Sequence, residues 1–76
     1  MSMNSSISIL SHTLHQLTPI ELDAEAEKCS PITAAPVAYN WDRIENMEGL
    51  AQCILDREPL GKALARIQIL IEKNNV

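Results

Sequence analysis

Beginning at Ile7, apolar residues recur at Leu10, Leu14 and Leu17, at spacings of three, four and three. On a helix these four fall within an arc of about 80°, a narrow seam of the kind that packs against one neighbour. Ser8, Ser11, His12 and His15 fall on the other side. Over residues 6–10 alone, Ile7 and Ile9 alternate with serine and would also suit a short strand. The longer period predicts a helix instead. The polar residues 1–6 are expected to be disordered, and residues 7–76 to form one helical domain.

Leu17-Thr18-Pro19-Ile20-Glu21-Leu22 is the clearest local signal in the chain. Thr18 suits an N-cap, and Pro19 suits a first helical position, where a missing N–H costs nothing. Glu21, three residues after Thr18, completes a capping box, and Leu17 and Leu22 are spaced as its hydrophobic staple. A second helix is therefore predicted from Pro19 to about Lys28. It has Ile20, Leu22 and Ala26 to bury, and Glu21, Asp23, Glu25 and Glu27 read as its solvated face. Pro31 and Pro36 are expected to bias the residues before them toward extended geometry, through a connector.

The third helix is predicted from Val37 or Asn40 to Arg57. Val37, Trp41, Ile44, Met47, Leu50, Ala51, Ile54 and Leu55 cover about half of its circumference, wider than the usual stripe of a surface helix. Such a face needs more than one neighbour, so this helix should be central. Glu58-Pro59 breaks the chain, and a last helix follows to about Lys73. Its Leu60, Ala63, Leu64, Ile67, Leu70 and Ile71 share an arc of about 120°, while Ile69 points the other way. The expected fold is a small all-α domain of three to four helices, built on a C-terminal antiparallel helical hairpin over residues 37–73.

Composition sharpens this picture in two respects. The chain has 76 residues, 46% of them hydrophobic, with no Phe, one Tyr and one Trp. Aliphatic packing of this kind suits helices. A chain so short buries only about 60% of the surface its unfolded form exposes, so its stability margin is thin and a second chain is a common remedy. The net charge of −4 is unevenly spread. Residues 1–20 carry no Asp, Glu, Lys or Arg, residues 21–48 carry seven acids and two bases, and residues 56–76 carry three acids and four bases.

An acidic chain without a basic stripe is a poor nucleic-acid binder, because phosphate contacts dominate that affinity. The N-terminus lacks the basic region of a secretory signal, and no run approaches the length of a membrane span. These features argue for a cytoplasmic setting with no membrane partner. Cys29 and Cys53 are then expected to be reduced small hydrophobes, with their pairing left open. His12 and His15, taken with the two cysteines, could supply four zinc ligands, but the spacing lacks the close pairs of a structural site. No motif supports a nucleophile or a cofactor, so neither a catalytic residue nor a cofactor is assigned.

What remains is a non-enzymatic protein–protein interaction module: a small adaptor, accessory subunit or inhibitor that binds another protein and self-associates, as a homo-oligomer such as a dimer. Leu10, Leu14, Trp41, Met47 and Ile69 are the candidate contact residues. Trp41 would suit an interface anchor, but sharing the arc of Ile44 and Leu55 favours the lid of a small core. The alternative is a small transcriptional regulator or DNA-associated subunit, with the turn at Glu58-Pro59 inside a helix-turn-helix and Lys62, Arg66 and Lys73 along its second helix.

Overall fold

A computed structural model of the chain describes residues 3–29 and 40–74. Within them lie four helices, α1 (Met3–Leu14), α2 (Pro19–Cys29), α3 (Ile44–Leu55) and α4 (Leu60–Asn74), and no strand. The expected all-α class is what the chain forms. Ser6–Leu10 is helical rather than extended.

α1 starts at Met3, ahead of Ile7 where the apolar period begins. No proline or glycine stands before Pro19 to stop it. Its hydroxyls fold back on their own helix: Ser11 Oγ donates to the Ser8 carbonyl (3.1 Å) and Thr13 Oγ1 to that of Ile9 (3.1 Å). A neutral, serine-rich helix can satisfy its side chains in this way. The last turn tightens, with Gln16 N–H donating to the Thr13 carbonyl (3.1 Å) and Leu17 N–H to that of Leu14 (3.0 Å). α2 then opens on the predicted box. Thr18 N–H donates to Glu21 Oε1 (3.1 Å), and Glu21 N–H donates back to Thr18 Oγ1 (3.3 Å). Leu17 and Leu22, the expected staple, are both buried.

α3 begins later than its apolar pattern suggests. Val37 lies outside the described residues, and Asn40 to Arg43 form a turn. The Asn40 side chain accepts the Asp42 N–H (3.0 Å), and its carbonyl receives Arg43 N–H (3.2 Å) and Asn46 Nδ2 (2.8 Å). An asparagine that bonds its own backbone in this way competes with helix. Trp41 is therefore off the helix and half-buried against the core. Ile44, on the first turn, is exposed.

α3 packs against all three other helices, as its wide apolar face requires. α1 lies across α3 and α4 and meets each more closely than they meet one another. The core takes Leu10, Leu14 and Leu17 from the first segment and Leu22 and Ala26 from α2. To these it adds Met47, Leu50, Ala51 and Ile54 from α3 and Ala63, Ile67 and Ile71 from α4. Leu60, Leu64 and Leu70 sit on its rim. Ile20, expected inside, is 80% exposed: it lies on the first turn of α2, away from the Leu22–Ala26 stripe that meets the core.

Gly49 is on the wet side of α3, as its place in the pattern suggests. A Cβ there would meet nothing within 4 Å. Gly49→Ala therefore removes backbone entropy from the unfolded chain at no steric cost, and should raise stability by about 0.5–1 kcal/mol in urea denaturation.

Candidate functional site

One acidic residue of α2 does not face water. Glu25 is 3% exposed and lies between Leu22 and Ala26 on the buried stripe. A carboxylate taken from solvent needs a cation and further hydrogen bonds. Arg66, one-third exposed on α4, supplies the first through Nη1 at 2.8 Å. Its Nε donates to Glu58 Oε1 at 3.1 Å, from the turn before α4. Lys28, a helical turn on from Glu25, approaches the same carboxylate at 3.4 Å. Burial works against the Arg66 charge, but the hydrogen bonds it donates to Glu25 and Glu58, together with the charges of those carboxylates, outweigh it and hold its pKa above the ordinary arginine value. The guanidinium therefore stays charged wherever the fold persists.

The partners follow an order along both helices. Glu21, at the start of α2, accepts a hydrogen bond from Asn74, at the end of α4. Glu25 meets Arg66 further along. Lys28 and Lys62 then face a shared cleft. α2 and α4 thus run antiparallel, joined by polar side chains with little close approach of their backbones. The Asn74 hydrogen bond, and after it that of the Thr18 N–H, hold the Glu21 carboxyl below the usual carboxylate range. The stabilisation this contributes is present at neutral pH and is lost as the pH falls through that lowered value.

Two clefts flank the α2 C-terminus. The polar one, about 280 Å³, is lined by Glu25, Lys28, Arg57, Glu58, Lys62 and Arg66, together with Cys29 and Ile54. Arg57 crosses it to donate to the Lys28 carbonyl, one of the orphan acceptors at the end of α2. The second, about 200 Å³, opens between α2 and α3 and is lined by Ala26, Cys29, Trp41, Leu50 and Cys53 among others. Trp41 forms one wall, its indole N–H donating to Asp23 Oδ1 at 2.8 Å.

Of the contact residues expected from sequence, Leu10, Leu14 and Met47 are buried within this one chain. As folded, they present no surface to a second molecule. Trp41 is half-buried and tied to α2, and Ile69 is exposed on α4. His12 and His15 are exposed, on elements other than those of the two cysteines. Among the described residues, no three of His, Cys, Asp and Glu gather where they could hold a metal. Of the basic side of α4, Arg66 is held by carboxylates, which removes it from a surface that could read phosphate. No helix among the described residues is long and apolar enough to cross a membrane.

The buried Glu25 departs from the solvated acidic face expected of α2, although the sequence carries its signal. Leu22, Glu25, Ala26 and Cys29 occupy positions i, i+3, i+4 and i+7 of one helix face, and the charge sits inside an otherwise apolar set. Comparison with known protein families, curated proteins and solved structures finds no match.

Proposed function

We propose that this chain is a non-enzymatic interaction module that binds through the outer stripe of α1 and self-associates there. The observation that carries the reading is the make-up of that stripe. Ser5, Ser8, Ile9 and His12 are exposed at positions i, i+3, i+4 and i+7, with His15 and Gln16 continuing beyond the helix. No Asp, Glu, Lys or Arg interrupts it, whereas α2, α3 and α4 all carry charge outward. A face without fixed charge has little desolvation cost on close approach, and an identical copy brings no repulsion. Ile9, 44% exposed at the centre of the stripe, is the apolar anchor. Ile69 on α4 offers a second such side chain to a different protein partner.

Ile9→Glu tests the reading. In sedimentation from submicromolar to tens of micromolar protein, the parent chain should show a mass that rises with concentration. The variant should remain monomeric, with an unchanged circular dichroism spectrum. A parent chain that stays monomeric and well folded throughout removes self-association, and the stripe is then tested by recovery of a partner from the native host with Ile9→Glu as the control.

A further inference from the structure

Both cysteines of the chain reach the same place. Cys29 is the last residue of α2 and Cys53 lies in the last turns of α3, on two helices that pack together. Their side chains line one cleft beside Trp41 and Leu50. Both are free thiols, and both are half-buried, so a small reagent can reach them. We infer that Cys29 and Cys53 are a dithiol modification site, which a small-molecule disulfide such as glutathione disulfide converts to an intramolecular bridge between α2 and α3.

The step balances as two exchanges. A Cys53 thiolate attacks one sulfur of the small disulfide, forming a mixed disulfide and releasing one small thiolate. Cys29 then attacks the Cys53 sulfur, its proton passing to solvent, and the second small thiolate leaves. In total, two protein thiols are oxidised and one small disulfide is reduced to two thiols. Burial, followed by the hydrogen bond and charge of Cys53, pushes the Cys29 thiol up to about 12, against a weaker pull from Arg57. A thiol that holds its proton this firmly makes a poor first attacker, which assigns the opening step to Cys53. The bridge would span residues 24 apart in the chain and fasten the end of α2 to the end of α3.

The whole chain, reduced and then exposed to millimolar glutathione disulfide, should be quenched in acid and weighed. The expected product is a monomer lighter by two hydrogens. Trypsin cleaves after Lys28, Arg43 and Arg57, so peptides 29–43 and 44–57 should be recovered joined until reductant is added. The bridged form should melt about 10 °C higher than the reduced one. Cys29→Ser should instead accumulate the glutathione adduct on Cys53. If that variant does not fold, the cross-linked peptides of the parent chain still decide the matter. Persistent mixed disulfides, linked dimers or unreacted thiols in the folded parent would each overturn the assignment.

Discussion

Arg66→Met should lower the unfolding free energy by roughly 3 kcal/mol, and Glu25→Leu in the same chain should restore most of that loss. The two partners differ in exposure. Arg66 is one-third exposed, so its charge retains some hydration, whereas Glu25 is 3% exposed and depends on the guanidinium 2.8 Å away. Removing the guanidinium leaves the carboxylate among Leu22, Ala26 and their neighbours with only Lys28, 3.4 Å away and mostly exposed, to offset its charge. Breaking one side of a buried pair costs about 3–5 kcal/mol, and the partial exposure of Arg66 places this case at the lower end. Replacing both partners by apolar side chains of similar size removes the desolvation problem altogether, so the double variant should approach the parent chain. Arg43→Met is the control. Its ion pair with Glu45 spans 3.6 Å between side chains that are both mostly exposed, and its loss should change stability by less than about 0.5 kcal/mol. Urea denaturation of these three variants and the parent chain gives the comparison. If the double variant were as unstable as Arg66→Met alone, the damage would come from lost packing of the arginine stem, and the electrostatic account would fail.

The difference between Glu25 and its neighbours shows what the sequence made legible. Local rules did well wherever the determining atoms are close in the chain. The Thr18–Glu21 box and the break at Glu58-Pro59 were readable because their hydrogen bonds span only a few residues. Ala63 N–H donating to the Pro59 carbonyl at 3.0 Å starts α4 where the proline suggested. Apolar periodicity likewise named the core faces of α1 and α4. It could not say which acid of Glu21, Asp23, Glu25 and Glu27 turns inward, because that depends on Arg66, 41 positions away. It also mistook Trp41 for a helical residue. The 3.6-residue period ran unbroken through Asn40 to Arg43, while the Asn40 side chain had already bonded the backbone into a turn.

Candidate contacts failed to separate from core for a related reason. Leu10 and Leu14 look alike from sequence whether α3 and α4 or a second chain covers them. The structure gives them to α3 and α4, so the breadth of the α3 face no longer argues for a partner by itself. The other side of α1 is exposed yet carries no Asp, Glu, Lys or Arg, and it is this face that stays open to a partner. The same four helices also bring Cys29 and Cys53 together from two elements, a proximity that their spacing in the chain does not encode.

The largest single-side-chain effect should separate two residues one turn apart on α4. Ile67 is fully buried, at the point where α4 meets the rest of the core, and Ile67→Ala should cost about 3–4 kcal/mol. Leu64 shares the apolar arc and from sequence looks equally central, with a cost of about 2–5 kcal/mol if it were core. It is half-buried on the rim instead, so water can take the place of the missing methyl groups and little cavity is left. Leu64→Ala should therefore cost only about 1–1.5 kcal/mol, near one or two methylenes of transfer free energy. Because α1 lies across both α3 and α4, the hole left at Ile67 also loosens the floor under α1, and amide exchange around Leu10 and Leu14 should accelerate along with that of α4. Equal costs at the two positions would mean that α4 is rotated from the orientation described. An Ile67→Ala variant that loses little stability and leaves α1 protection intact would mean that α1 and α4 do not share a core.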